Sequence, residues 1–149
     1  MQVSWLLGPS LSNWVTTVVD PNGGESVSMD IRSNRREIAY VSGTPGNLVL
    51  KSASWSVLTG LWPLSTVDTS VAPFASVVLD DALDPHIAYR KASAPWRAKP
   101  VVGGWSTVGT VTPTAAGWNP TIQVDTRPAT DKSILVHMND FGVLQVTDE

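Results

Sequence analysis

Tryptophan is the residue type in this sequence with the clearest chemical use. The 149-residue chain holds seven Trp but only two Tyr and two Phe. An indole ring can stack on the C–H face of a sugar while its N–H donates a hydrogen bond. Trp5, Trp55 and Trp105 are spaced by fifty residues, which also fits a packing contact between repeated units. Both interpretations of the tryptophans, a ligand platform and a repeated packing contact, stay open.

Six residues are candidates for ligand contacts. Trp96 and Trp118 have no counterpart at the fifty-residue spacing, and a tryptophan outside a repeat is less easily explained by packing. Arginine could supply hydrogen bonds to a ligand, although a solvated loop charge explains such residues as well. The predicted ligand-binding set is Trp62, Trp96, Trp105, Trp118, Arg36 and Arg90.

Carboxylates and histidines are present, but their spacing matches no known catalytic or metal motif. Asp30, Asp80 and Asp125 end matched segments, where a carboxylate can accept hydrogen bonds from N–H groups of the following turn. Asp81 and Asp84 complete a small acidic cluster that lacks the Gly and distal Glu of a calcium loop. The two histidines have no zinc-like spacing. We therefore predict no catalytic residue, no metal site and no cofactor.

The elements that must position these residues are strands. Val, Ile and Thr together number 39, and eleven Pro plus eleven Gly interrupt any long helix. The segments Ser26–Asp30, Ser76–Asp80 and Thr121–Asp125 align, with apolar residues three and one positions before each Asp. This alternation puts the apolar pair on one face of a strand and the small hydroxyl on the other. The sequence predicts an all-β fold.

A repeat of about fifty residues organises these segments. Each is followed by a second matched run, at Ile38–Tyr40, Ile87–Tyr89 and Leu135–His137, and preceded by a shorter β run. One unit therefore holds about four strands, which is typical of a propeller blade. We expect one repeat domain over 1–149, β-propeller-like, with three four-stranded blades at about 1–54, 55–104 and 105–149.

The segment Asp80–Tyr89 resembles the blades of bacterial β-propellers of the sialidase-like and lectin-like group. In those blades a strand ends in Asp, turns, and resumes with Pro-His-Ile-Ala-Tyr. The match is fullest here, partial at Asp30–Tyr40, and weakest at Asp125–His137, where Tyr is lost. The glycine-containing Asp-box turn is absent. The resemblance implies a propeller that binds carbohydrate.

Three blades are too few to close a ring. Propellers close with about four to eight blades, and copies of a three-blade chain reach that range only at six. We therefore predict a head-to-tail homodimer with six blades. The alternative is that the chain is part of a longer single-chain propeller.

The charge and cysteine content exclude several classes of partner. Ten Lys plus Arg against thirteen Asp plus Glu give a net charge of -3, which argues against nucleic-acid binding. Without Cys there is no disulfide or thiolate chemistry, and the compartment stays undetermined. The first fourteen residues carry no Lys or Arg and only a short apolar run, so we expect a soluble chain with no signal peptide and no membrane partner.

Three functions remain in competition. The first is a non-catalytic, lectin-like module whose repeated pockets bind glycans with avidity. The second is a propeller scaffold for protein interactions, which the fold alone cannot separate from the first. The third is a glycoside hydrolase-like enzyme, which needs two carboxyl groups about 5 to 10 Å apart and is disfavoured by the presence of only three Glu.

Overall fold

The all-β prediction is confirmed. The computed structural model describes residues 1–6, 14–92, 94–109, 118–125, 132–138 and 143–148. These residues form β-strands joined by turns and irregular segments, and none of them lies in a helix. Accordingly, the described part of the chain offers no helix with the length and apolar character needed to cross a bilayer.

The strands pair into antiparallel sheets in chain order. A two-stranded pair joins β1 (Gln2–Leu6) to β2 (Trp14–Val18). Sheet 1 consists, in order, of β3 (Glu25–Arg32), β4 (Arg35–Thr44), β5 (Asn47–Ser54) and β6 (Leu64–Thr69). Sheet 2 consists of β7 (Val71–Leu79), β8 (Pro85–Lys91), β9 (Ala94–Val101) and β10 (Gly104–Gly109). Sheet 3 consists of β11 (Trp118–Asp125), β12 (Lys132–Met138) and β13 (Leu144–Asp148).

Two of these sheets have the predicted four strands, but each sheet begins and ends later in the sequence than the expected unit. The short run before each matched segment pairs with the preceding sheet, because β6 lies beside β5 and β10 lies beside β9. Sheets 1 and 2 therefore span 25–69 and 71–109, whereas the units were expected at about 1–54 and 55–104. The fifty-residue units themselves stay a prediction from the sequence.

The main hydrophobic core lies between sheets 1 and 2. Leu50 of sheet 1 and Ile87 and Tyr89 of sheet 2 are fully buried there. A smaller cluster joins sheet 2 to sheet 3, where Ala88 packs with the buried Ile122. Burial of such side chains contributes about 1.5–3 kcal/mol each. Consecutive sheets are thus held face to face by their apolar side chains.

A polar seam fixes the register between sheets 1 and 2. The Val77 N–H donates to Ser28 Oγ at 3.1 Å, and the Leu79 N–H donates to Asp30 Oδ2 at 2.7 Å. Arg32 Nη1 donates to the carbonyl oxygen of Leu79 at 3.0 Å. The outer edge of β7 would otherwise leave these backbone groups without partners. The seam places β3 and β7 side by side at one edge of the stacked sheets.

The predicted alternation is present, but the environment of its apolar face differs between sheets. Val77 and Leu79 of β7 are 6% and 1% exposed, whereas Val27 and Met29 of β3 are 52% and 38% exposed. Val19 and Asp20, which follow the β1–β2 pair, contact β4 and β5. Among the described residues, the apolar face of β3 stays exposed. Asp30 lies inside β3 rather than at its end.

The sheets do not close into a ring within the described residues. The propeller and the head-to-tail dimer therefore stay predictions.

Candidate functional site

A cleft of about 380 Å³ opens between sheets 1 and 2. Sheet 1 contributes the β3–β4 turn with Asn34, the start of β4 with Arg35, and the end of β5 with Ser54 and Trp55. Leu83, from the turn between β7 and β8, closes the other side. The volume lies within the range of about 300–1,000 Å³ of small-molecule sites.

Trp55 is the aromatic wall of the cleft, and two residues of the predicted set hold it in place. The Arg36 guanidinium lies 5.5 Å from the centre of the Trp55 ring, a cation–π distance. The backbone N–H of Trp55 donates to the Arg36 carbonyl oxygen at 2.9 Å. Trp62 packs behind, with ring centres 5.3 Å apart and planes inclined by 57°. Since Trp62 is buried, it supports the wall and Trp55 presents the surface.

Arg35 provides the positive charge at the cleft, and Glu37 orients it. Arg35 Nη2 donates to Glu37 Oε2 at 3.3 Å and to Ser54 Oγ at 3.2 Å. The Arg35 side chain is 38% exposed, so donors that do not face Glu37 remain available to a ligand. The geometry therefore directs a fixed cation toward the opening.

Glu37 is a buried acid below the cleft floor. Burial raises the pKa of the Glu37 carboxyl, while hydroxyl bonds from Ser52 and Ser54 and the charge of Arg35 oppose that rise. Ser54 Oγ donates to Glu37 Oε2 at 2.6 Å, and Ser52 Oγ donates to the other oxygen. No carboxylate is found among the described residues that line the cleft.

Trp96 and Trp105 of the predicted set lie in sheet 2, away from Trp55. Trp96 packs on Tyr89 with ring centres 6.4 Å apart, and Lys91 Nζ lies 5.2 Å from its ring centre. A Cβ at Gly109 would come within 3.0 Å of the Trp96 ring, so this glycine permits the close packing. Trp105 packs against the core and its indole N–H donates to Ser65 Oγ at 3.3 Å. These contacts fit the packing interpretation of both tryptophans.

Arg90 is not among the residues that line this cleft. Arg90 lies near the end of β8 and is half-buried, with its Nε inaccessible to solvent. Trp118 begins β11, and its side chain lies outside the described residues. The structure thus brings together Arg36 and Trp62 from the predicted set and places Trp96, Trp105 and Arg90 elsewhere.

The acidic cluster is used internally. Asp80 accepts from the Asp84 N–H at 2.8 Å and contacts His86 Nε2 at 3.0 Å. Asp81 pairs with Arg32 of sheet 1. The expectation that Asp80 binds its following turn is confirmed. Among the described residues, no group of three or more potential metal ligands converges.

Two carboxylates that the sequence did not single out, Asp20 and Asp68, join neighbouring sheets. Asp20, which follows β2, accepts from Tyr40 Oη at 2.7 Å, from Lys51 Nζ at 2.8 Å and from the Asn22 N–H at 2.8 Å. Burial opposes ionisation of this carboxyl, but the three bonds and the lysine charge outweigh burial and lower its pKa to about 2. Burial and the Asp20 charge both raise the pKa of Tyr40.

The same contact recurs one sheet later. Asp68 of β6 accepts from Tyr89 Oη at 2.7 Å and from Lys91 Nζ at 2.7 Å and 2.9 Å. Burial opposes ionisation of the Asp68 carboxyl, but its hydrogen bonds and the charge of Lys91 outweigh burial and lower its pKa. The sequence carried the signal, because an Asp directly follows Val19 and Val67 at the ends of two matched runs.

Comparison with models of known protein families finds none that matches this sequence, and comparison with curated proteins finds no significant match. Function is therefore inferred from the residues of the cleft.

Proposed function

We propose that this chain is a non-catalytic carbohydrate-binding module whose pocket is the cleft between sheets 1 and 2. The observation that carries the proposal is the combination of a half-buried indole wall, at Trp55, with a fixed guanidinium, at Arg35, in one opening. Sugars present a C–H face and a rim of hydroxyls, so they need a flat apolar surface beside hydrogen-bonding groups.

Polar groups around the indole complete the match to a sugar. Asn34 supplies an amide with both donors and an acceptor, and Ser56 supplies a hydroxyl. The side chain of Arg35 cannot swing freely, because Glu37 and Ser54 hold its Nη2. A restrained donor loses less conformational entropy when a ligand binds. The indole of Trp55 and these polar groups therefore match the C–H face and the hydroxyl rim of a pyranose ring.

The proposal includes assembly into a six-bladed ring. Sheets 1 and 2 have four strands each, and consecutive sheets stack through their apolar faces with β3 beside β7. Three such units per chain fall short of the four to eight that close a propeller. Two chains joined head to tail supply six. A ring would present several clefts at once and raise avidity for a multivalent glycan.

The test is binding to an immobilised array of mono- and oligosaccharides, followed by solution titration of the strongest hit with tryptophan fluorescence as the readout. Trp55→Ala should weaken binding at least ~10-fold, because the stacking surface is lost. Trp96→Ala is the matched control, since it also removes a half-buried indole that carries a cation over its ring. It should leave affinity unchanged.

Three outcomes would contradict the proposal. If the wild-type chain binds no glycan on the array, carbohydrate binding is wrong. If Trp96→Ala abolishes binding and Trp55→Ala does not, the cleft is the wrong site. If the array reports turnover of the bound glycan, the module is not a passive binder. Denaturation midpoints of both variants show whether each remains folded.

A further inference from the structure

Strand β3 exposes an apolar face that its counterpart in sheet 2 buries. Val27 and Met29 are 52% and 38% exposed, and Ile31 beyond them is 58% exposed. Val77 and Leu79 occupy the matched positions of β7 and are 6% and 1% exposed. Both strands are the first strand of a four-stranded sheet and form its open edge. An exposed apolar edge strand is an association site unless something covers it.

The structure shows what covers β7, the counterpart of β3 in sheet 2. The polar face of β3 lies along the edge of β7, where Ser28 and Asp30 accept hydrogen bonds from the N–H groups of Val77 and Leu79. The cover is therefore a first strand from the preceding sheet, and its small polar side chains bind the edge amides. The matched amides on β3 are those of Val27 and Met29.

Strand β11 presents a matching polar face at the other end of the described chain. Thr121 and Gln123 occupy the repeat positions of Ser26 and Ser28, and both are exposed. The opposite face of β11 is already used, because Ile122 is buried against sheet 2. Among the described residues, the polar face of β11 and the apolar face of β3 are both exposed, and they match the two faces that meet where β3 lies on β7.

We infer that β11 of one chain docks on β3 of a second copy and repeats the β3–β7 seam across the interface. Gln123 then accepts from the Val27 N–H of the other copy, as Ser28 accepts from Val77 within the chain. The sequence repeat places Asp125 in the position of Asp30, opposite the Met29 N–H. The inference rests on the proposed head-to-tail assembly and assigns the surfaces that meet in it.

The contact joins two different surfaces, so it is heterologous. Such a contact between two copies closes only if it is made twice, once in each direction. A self-complementary contact of β3 with β3 would instead be made once across a two-fold axis. The repeated seam therefore predicts that no residue of the interface meets its own copy.

Docking leaves one strand in excess. In sheet 1 the third strand is β5, which lies between β4 and β6. β1 pairs with β2 in the way that β5 pairs with β6. β13 pairs with β12 in the way that β5 pairs with β4, so β1 and β13 both occupy the position of a third strand. Their sequences agree, with Gln2-Val3-Ser4 matching Gln145-Val146-Thr147. When sheet 3 of one copy stacks below sheet 1 of the other, one of the two strands is displaced and the remaining one completes the sheet.

Cysteine cross-linking tests the inference directly, because the chain contains no Cys. The double variant Val27→Cys with Gln123→Cys places thiols at positions matched to Val77 and Ser28. Mild oxidation should convert it to a covalent dimer, seen at twice the chain mass on a non-reducing gel. The control Ser28→Cys with Val77→Cys should close a disulfide within one chain, because those residues already touch across the seam.

Each other result has a defined meaning. Formation of the control disulfide without any covalent dimer of the test variant overturns the docking. Dimers of Val27→Cys alone overturn the heterologous contact, since they require β3 to meet β3. A ladder of species longer than the dimer overturns closure by two copies. The cleft lies within one chain, so glycan binding is measured independently and its failure is distinguishable from failure of the interface.

Discussion

Sheets 1 and 2 place different chemistry at one matched buried position. Glu37 precedes Ile38 on β4, and His86 precedes Ile87 on β8. Both polar side chains are buried, at 0% and 6% exposure. Burying such a group is costly unless it has hydrogen-bond partners. The two sheets meet the same requirement in different ways.

The source of the partner differs because the preceding turns differ. In sheet 1 a two-residue turn separates β3 from β4, and Glu37 is bonded by Ser52 and Ser54 of the adjacent β5. In sheet 2 the turn runs from Asp80 to Asp84, and Asp80 reaches His86 from that turn. The longer turn has room for a folded-back carboxylate. A repeat thus conserves the need for a partner without conserving the residue that supplies it.

The carboxylates that join neighbouring sheets differ in the opposite way. Their hydrogen-bond partners are of the same types, but the carboxylates are buried to different extents. Asp20 and Asp68 each accept from a tyrosine hydroxyl and a lysine. The Asp20 side chain is fully buried, whereas that of Asp68 is 11% exposed. Removing one member of a charged pair costs more as the site becomes drier. The two sites therefore allow burial to be varied while the partners stay the same.

The largest expected effect comes from removing these carboxylates. Asp20→Ala should lower the free energy of unfolding by about 3 kcal/mol, because Tyr40 and Lys51 lose a buried acceptor. Asp68→Ala should cost about 1–2 kcal/mol, since the Asp68 side chain is itself 11% exposed. Chemical denaturation of the two variants measures the difference. Equal losses would show that burial does not distinguish the sites.

The control for this pair is Asp81→Ala. It breaks an ion pair with Arg32 whose two side chains are 36% and 53% exposed, so its cost should stay below about 1 kcal/mol. Acid titration adds a second readout. Folding lowers the pKa of Asp20 from 3.8 to about 2, so its stabilisation is present above about pH 4 and is lost as the pH falls toward 2. Asp20→Ala should flatten that part of the curve.

An intermediate effect is expected at the Asp80–His86 pair. Asp80→Ala should destabilise the chain by about 2 kcal/mol, because it removes the acceptor of the Asp84 N–H and the carboxylate that contacts His86 Nε2. Adding His86→Leu should recover part of the loss, since an apolar side chain then replaces the buried imidazole that has lost its carboxylate. A double-mutant cycle in denaturant measures this coupling. If the losses of Asp80→Ala and His86→Leu simply add, Asp80 does not stabilise His86 in the way that Ser52 and Ser54 stabilise Glu37.

The strands were predictable because their signal is local. Alternation in Ser76–Asp80 requires only neighbouring residues, and β7 buries the predicted face. The same alternation in Ser26–Asp30 could not reveal that Val27 and Met29 are exposed, because exposure depends on which sheet lies opposite. Pairing of β6 with the preceding strand rather than the following one was likewise a long-range choice.

The candidate site was predictable only in part, for the same reason. Tryptophan and arginine suggested a sugar pocket, and Arg36 does lie over Trp55. Asn34 and Arg35 became wall residues only because a tight turn faces Leu83 across the stacked sheets. Single residue types identify chemistry that is available. The stacking of sheets decides which of those residues share an opening.

The smallest effect sharpens the comparison at Glu37 itself. Burial raises the pKa of this carboxyl above its usual value of 4.5, so the folded state holds the proton more tightly than the unfolded chain. Its contribution to stability is then full below about pH 4.5 and is lost as the pH rises through the raised pKa.

Glu37→Gln keeps the volume and the serine contacts without the ionisation. We expect the variant to match the wild type at low pH and to exceed it at pH 8, measured as unfolding free energy against pH. If Glu37→Gln instead loses stability at pH 8, the ionised form with Arg35 is the stabilising one, and sheet 1 would rely on a buried charge where sheet 2 uses a histidine.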